Sequence, residues 1–385
     1  MGIIFSSFNG LEPKIRFASY SENYTICNIG DIFDERSERG SENLELLSVT
    51  MNDGVKKRTE IEGKDNSSED KGNYKIVYVG DMVYNSMRMW QGANGISPYD
   101  GIVSPAYTVL KASKPLCNKY IAYLFKNSDL INKFRKNSQG LTSDTWNLKY
   151  LQISTIKIYL PSLPEQQKIA DFLSLIDQRI EKQRRLVESL KKYKRGLLSA
   201  IFERKLEFSS STWHSVNLSE CCNGFDNLRK PISSELREKG TIPYYGANGI
   251  QDYVKDYIFD GEYILLAEDG GHFDDFTNSP IAQYITGKSW VNNHAHILQA
   301  KPGYNNKYIY YTLVHKDIRK YINGTSRAKL NQEDMWQIKI LTSDISTQNK
   351  IALFMSAIDE KISQEEYNLF QFYKIKRGLL QQMFI

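Results

Sequence analysis

KYKRGLLSAIF (192–202) and YKIKRGLLQQMFI (373–385) share the frame Lys-x-Lys-Arg-Gly-Leu-Leu, written twice at an offset of 182 residues. The same offset separates Lys168 from Lys350. Over Gln166–Phe202, sixteen of 37 positions are identical at that offset without a gap, including Phe172/Phe354, Ser174/Ser356, Ile176-Asp177/Ile358-Asp359 and Ile180/Ile362. Two unrelated charged helices do not supply such identities, so the chain carries an internal duplication.

Each copy has helical periodicity. With one seam series starting at Ile169 and the other four residues on at Leu173, the seam positions of the first copy include Ile169, Leu173, Ile176, Ile180, Val187 and Leu190. Those of the second include Ile351, Met355, Ile358, Ile362, Leu369 and Phe372. Apolar residues spaced alternately by three and four predict a coiled-coil seam, and 182 is a multiple of seven, so the frame survives duplication. Both copies interrupt the seam at the same places, with Gln183/Glu365 in the Ile169/Ile351 series and Lys194/Lys376 in the Leu173/Met355 series. Such residues either fix register and partner number or carry their polar ends outward to water. Two helices of this kind are expected to pack as an antiparallel pair.

A chain of 385 residues, 41% hydrophobic and 12% aromatic, exceeds one ordinary core and predicts two or more globular domains. No apolar run is long enough to span a bilayer and no signal peptide is recognisable, so no membrane association is expected. MGIIFS fits a loose myristoylation pattern that is read as chance. Cys27, Cys117, Cys221 and Cys222 form no CxxC pair, which implies neither a zinc site nor a disulfide framework and suits a reducing cytoplasm. The formal charge of +5 is concentrated: Lys168–Lys205 holds eleven Lys/Arg against five Asp/Glu. A basic helix of that kind follows a phosphate backbone or forms an ordinary solvated face.

The segments between the helices echo each other too. NKYIAYLF at Asn118 matches NKYIYYTL at Asn306, GDMVYN at Gly80 resembles GEYILL at Gly261, and IKI recurs at Ile156 and Ile338. CNIGDIF at Cys27 is a fainter counterpart of VNLSECC at Val216. Order is kept while spacing drifts, as when loops diverge on a common scaffold. The expected organisation is a globular unit over 1–160, a long helix over 161–205, a second globular unit over 206–342 and a second long helix over 343–385. Short β-branched and aromatic runs with one short helix near NKYI make each unit α+β. GANGI also occurs twice, at Gly92 and Gly246, but at an offset of 154, outside the duplicated frame; Asn-Gly marks turns.

The layout resembles the specificity subunit of type I restriction-modification systems over nearly the whole chain. The stretches that carry the resemblance are MRMWQGANGISPYDGIVSPAYTVL (87–110), LPEQQKIADFLSLID (163–177), the KYKRGLL frame, IPYYGANGIQDYV (242–254) and SWVNNHAHIL (289–298). LPEQQKIA is the most specific of them and degrades to ISTQNKIA in the second copy. The resemblance implies two target-recognition domains separated by a pair of long antiparallel coiled-coil helices, each domain reading one half of a split double-stranded DNA target. It further implies a non-catalytic chain that binds no cofactor itself. Two methyltransferase subunits would use S-adenosylmethionine to methylate adenine N6, and motor-nuclease subunits would bring ATP and Mg²⁺ chemistry. Gly196 and Gly378 would permit close helix approach or partner docking.

Candidate DNA-contacting residues are Asn85, Ser86, Arg88, Trp90, Gln91 and Asn94 in the first unit. In the second they are Tyr245, Asn248, Asn293, His294, Ser326, Arg327 and Lys329. Arg pairs bidentately with guanine, Asn and Gln with adenine, Lys chiefly with phosphate, and aromatic rings stack. Each has a structural alternative: Trp90 as core, Asn94 and Asn248 as turn formers. Rival functions have weaker supports. AQYITGKS at Ala282 satisfies only a relaxed phosphate-loop pattern and runs into a strand-like segment. His294 and His296 alternate like metal ligands but lack a third partner. Glu268, Asp269, Asp274 and Asp275 could hold Mg²⁺ for nuclease chemistry, against an exposed acidic loop. A coiled-coil assembly scaffold without sequence-specific reading explains the helices but not the duplicated globular units.

Overall fold

A computed structural model describes the backbone of residues 3–5 and residues 12–40, 44–51, 54–63, 65, 67–142, 144–208, 212–324 and 328–385. The ends of MGIIFS and the candidates Ser326 and Arg327 lie outside the described residues. The chain forms two compact units: Met1–Gln183 with Asn368–Ile385, and Arg184–Tyr367. Two continuous helices, Leu163–Phe202 (40 residues) and Ile345–Gln382 (38 residues), each contribute one part to each unit.

In the first unit, four antiparallel strands lie in the order Phe33–Glu35, Tyr107–Ala112, Met82–Asn85, Asn94–Ile96. The alternation in Tyr-Thr-Val-Leu and Met-Val-Tyr buries both faces of the two central strands. Met82, Tyr84 and Leu110 enter a core with the short helix Asn118–Leu124, and Val83 and Val109 enter a second one with Leu47, Val49 and Val55. Lys157–Leu160 pairs antiparallel with Thr25–Asn28 and so closes the unit just before the long helix begins.

The second unit repeats this plan with a larger sheet, ordered Cys222–Gly224, Ala295–Ala300, Phe259–Ala267, Ala282–Val291, Lys239–Gly246, Gly249–Val254. It is antiparallel except where Tyr244-Tyr245 runs parallel to Trp290-Val291. His214–Asn217 with Lys339–Thr342 is the closing pair here. The two GANGI segments occupy different places. Asn94–Ile96 is an edge strand following the Gly80-Asp-Met-Val-Tyr-Asn strand, whereas Gly246–Gly249 is a hairpin turn preceding its Gly261 counterpart. Their offset of 154 reflects that.

The helix entries explain LPEQQKIA. Pro164 sits in the first turn, where its missing N–H has no cost. Glu165 is fully buried and takes two 2.8 Å bonds from the Arg16 guanidinium, raising the Arg16 pKa above its ordinary value. Gln166 Oε1 accepts from the Cys117 N–H (3.1 Å), and its amide donates to the Pro161 carbonyl (3.0 Å). In the second copy Gln348 repeats both bonds, with the Asn305 N–H (2.9 Å) and the Ser343 carbonyl (2.8 Å). The Glu165 position becomes Thr347, tied to Asp344, so the ion pair is lost while the glutamine clasp persists.

Within each unit the helix segments run antiparallel. In the first, Ile169 and Leu173 share a core with Met383 and Phe384, Lys376 bonds Asp177, and Arg179 lies over the Phe372 ring. In the second, Leu198 and Ile201 share a core with Ile351 and Met355, and Lys194 bonds Asp359. The interruption of the seam by lysine is therefore resolved as ion pairing: each Lys meets the Asp of the other copy. A tyrosine of the NKYI helix completes each clasp, Tyr123 donating to Asp177 and Tyr311 to Asp359, both at 2.7 Å. Of the seam residues, Ile169, Leu173, Ile180, Val187, Ile351, Met355 and Ile362 are buried, and Ile176, Leu190, Ile358, Leu369 and Phe372 are half-buried. Gln183 and Glu365 are buried as well.

No helix among the described residues is long and apolar enough to cross a membrane.

Candidate nucleic-acid interface

In the first unit the candidates lie on the loop that leaves the strand Met82–Asn85. Asn85 Oδ1 accepts the Met87 N–H at 3.0 Å, a turn that throws Met87 and Arg88 outward. A 3-10 turn, Met89–Gln91, follows and ends at Gly92, whose φ of +88° only glycine adopts without strain. Trp90 is half-buried; its Nε1–H donates to the Met87 carbonyl at 3.1 Å and its ring packs edge-on to Trp146 at 5.1 Å.

Two expectations need correction. Ser86 is buried and bonds the Thr108 hydroxyl at 2.8 Å. Asn94 is wholly buried, and its amide donates to the Gly92 carbonyl at 3.0 Å. Both side chains are enclosed and bonded within the fold; the outward set is Arg88 with the half-buried Asn85, Trp90 and Gln91. Trp146 and Met87 complete this surface and escaped the sequence reading. Trp146 lies far along the chain and nothing local marks it.

In the second unit two of the candidates, Asn248 and His294, share a cleft. Asn248, Gln251, Asp269, Gly270 and His294 line a cleft of about 390 Å³. Asn248 spans it, donating to the Gly270 carbonyl at 2.8 Å, and His294 Nδ1 meets Asp269 Oδ1 at 2.5 Å. Gly249 (φ +124°) and Gly270 (φ +65°) form thin rims where an added Cβ would meet no neighbour. Tyr245 is half-buried in the adjacent strand, and its carbonyl accepts the Asn292 N–H. The Asn293 side chain is exposed. Gln251 and Asp269 were not among the expected DNA contacts. They become visible only once the hairpin is folded against the loop.

Glu268, the neighbour of Asp269 in sequence, anchors an ionic network. Glu268 binds Arg229 (2.5 Å) and Lys329 (3.0 Å), while Asp226 binds His296 (2.5 Å) and approaches Arg229 (3.5 Å). Lys329, expected on phosphate, is thus tied to Glu268. Burial disfavours the charged form of both acids, but bonds from His296, the Ile297 N–H and Arg229 hold Asp226 below its usual range, and Arg229 and Lys329 do the same for Glu268. Ligand atoms of Asp226, Glu268 and His296 lie within 4.8 Å of one another, but the cations of Arg229 and Lys329 already occupy the carboxylates.

The nuclease reading loses its geometry. Glu268 and Asp269 are buried rather than on an exposed acidic loop, and they serve different partners. Asp275 instead bonds Asn278 and Ser279 in an exposed turn. AQYITGKS lies within the strand Ala282–Val291, not a phosphate-cradling loop, and His296 is a core residue at 1% exposure.

The family described as "Type I restriction modification DNA specificity domain" matches the chain twice, over 21–191 and 210–369. A type I restriction enzyme specificity subunit of Haemophilus influenzae is 40% identical over 162 residues, spanning 42% of this chain and 41% of the relative's length. One from Methanocaldococcus jannaschii is 22% identical over 354 residues, covering 82% of this chain and 80% of the relative. The crystal structure of the type I system S subunit from M. genitalium superposes with a TM-score of 0.60 at 20% identity, covering 97% of this chain and 99% of that one. A further chain, from a structure of type I R-M complex assembly and conformational transition, gives 0.58 at 14% identity, covering 93% and 96%. With the family matched over most of its length, in two copies that coincide with the internal duplication, the chain belongs to the type I restriction-modification DNA specificity family, whose role is DNA sequence recognition.

Proposed function

We propose that this chain is the non-catalytic subunit that reads a bipartite DNA target, one half through each globular part, and holds adenine-N6 methyltransferase subunits over it. Motor-nuclease subunits join for restriction. S-adenosylmethionine, ATP and Mg²⁺ belong to those partners, and the extents given above as 1–160 and 206–342 are the two recognition domains.

The observation that carries this reading is the duplicated clasp. Tyr123–Asp177–Lys376 and Tyr311–Asp359–Lys194 fasten equivalent short helices to equivalent helix segments with the same 2.7 Å bond. A single-site binder has no need of two such mounts, whereas a reader of two half-sites does, since half-site spacing follows protein geometry. Arg88 beside Trp90 in one unit, and the His294 cleft in the other, supply different polar surfaces, as two different half-sites require.

Methylation mapping in cells expressing the chain with its methyltransferase tests this directly. The expected result is one split motif with a fixed gap. Inserting equal helical lengths into both long helices should change the gap and leave the half-sites intact. A contiguous motif, or a gap indifferent to helix length, would refute the proposal.

A further inference from the structure

In the first unit the segment 139–147 is a closed hairpin. The Gln139 N–H donates to the Asn147 carbonyl at 2.9 Å and the Asn147 N–H returns a bond to the Gln139 carbonyl at 2.8 Å, a two-stranded antiparallel bridge. Inside it the Thr145 N–H donates to the Thr142 carbonyl at 3.0 Å. Gly140 (φ +147°) lies so close over Thr145 that an added Cβ would stand 2.7 Å from its backbone, so glycine is what lets the loop close. The next residue, Leu141, is wholly exposed, the most exposed large apolar side chain among the described residues.

The hairpin is fastened beside the candidate surface. The Leu148 N–H donates to the Ser86 carbonyl at 2.9 Å, directly before Met87 and Arg88, and Trp146 packs on Trp90. This fastening is duplicated at the offset of 182: the Leu330 N–H donates to the Glu268 carbonyl at 2.7 Å, and Asn323 pairs with Lys329 as Gln139 does with Asn147. Exposed cations surround the first hairpin in sequence. Arg135 and Lys136 precede it and Lys149 follows it, against one exposed acid within it, Asp144. Arg88, also exposed, is two residues from Trp90. An apolar tip set among cations suits a polyanion that carries apolar groups inside its grooves.

From this geometry we infer that the 139–147 hairpin enters the major groove of the duplex and that Leu141 packs on the methyl group of a thymine. The major groove admits a two-stranded ribbon, and the minor groove is about half as wide. Of the groups that base edges present in the major groove, the thymine methyl is the apolar one. Leu141 offers no hydrogen bond, so what it can discriminate is the presence of that methyl. The inference rests on the DNA-reading function proposed above and names a contact residue and a base for one of its two parts.

The test starts from the motif that the full chain, with its methyltransferase, selects from random-sequence duplexes. Duplexes are then made in which each thymine of that motif is replaced singly by deoxyuridine, which removes the methyl and nothing else. Binding by the parent should fall about fourfold at one thymine of one half-site, the effect of a single buried methyl. Leu141→Ala should bind the unmodified duplex roughly tenfold more weakly, be indifferent to that same replacement, and unfold at the parent's urea midpoint, since the side chain is uncovered in the free chain. Leu141→Met should restore the sensitivity. A motif with no sensitive thymine, or a sensitivity that Leu141→Ala retains, overturns the inference and leaves DNA reading standing. So does a Leu141→Ala chain that binds DNA like the parent but loses the methyltransferase, which would place Leu141 in a protein contact. Selection of no motif by the parent overturns both readings.

Discussion

Replacing Asp359 by Asn tests whether the charged clasp holds a globular part to its helix. Asp359 Oδ2 accepts from the Tyr311 hydroxyl at 2.7 Å and Oδ1 from Lys194 at 2.5 Å. Tyr311 is 3% exposed, the Lys194 side chain 13% and that of Asp359 34%. A hydrogen bond to a charged group contributes about 1.5–3 kcal/mol, and partial exposure of the carboxylate draws the figure toward the lower end. Asp359→Asn should therefore cost about 2 kcal/mol. Lys194→Met, which keeps the apolar stem, should couple to it by about 1 kcal/mol in a double-mutant cycle. The equivalent Asp177→Asn should cost less, about 1 kcal/mol, because Asp177 and Lys376 are more exposed at 38% and 23%. Urea unfolding read by midpoint at constant slope measures all of these. Additivity within about 0.3 kcal/mol for Lys194 and Asp359, or a larger loss from Asp177→Asn than from Asp359→Asn, would show that the charged clasp does not hold the unit to its helix.

Three further outcomes follow from the geometry. Asp226 and Glu268 have depressed folded pKa values, so their contribution is complete above the unfolded values of about 3.9 and 4.3 and is lost as pH falls through the lower folded ones. The stability gap between the parent and Glu268→Gln, followed by urea midpoint, should accordingly close on acidification below about pH 4; a gap constant with pH would contradict this. Gly196 and Gly378 have nothing within 4 Å of an added Cβ, so close approach of the chain's own helices is not their purpose. Alanine at each should stabilise the isolated chain by about 0.5–1 kcal/mol, while Leu should weaken copurification with a methyltransferase subunit. Gln348→Ala strips the Asn305 N–H of its acceptor and should cost about 1–3 kcal/mol, as should Gln166→Ala; equality with an exposed control such as Gln178→Ala would remove the glutamine clasp from the account.

The repeat at offset 182 also carried more than similarity. In a parallel, in-register pair the two copies would place Asp177 against Asp359 and Lys194 against Lys376. Seventeen residues separate Asp from Lys in each copy, and antiparallel packing turns that spacing into two unlike pairs. The seam lysines that look like defects in a heptad are thus the residues that distinguish one orientation from the other. Gln166 and Gln348, conspicuous only as identities, are explained by two bonds each at the helix entries.

Duplication, two long helices, α+β units and family membership were all legible from order along the chain. Periodicity and repetition are properties of neighbouring residues, and they survive without knowledge of contacts. Which polar residues face outward was not legible. Ser86 and Asn94 carry the same chemistry as Asn85 and Gln91, yet Thr108 and the Gly92 carbonyl claim them for the interior. Trp146 reaches Trp90, and Gln251 and Asp269 reach His294's cleft, across stretches of chain that encode no common pattern. Exposure and hydrogen-bond direction are decided by whichever distant groups arrive first at each donor and acceptor, and only the folded chain brings those groups together.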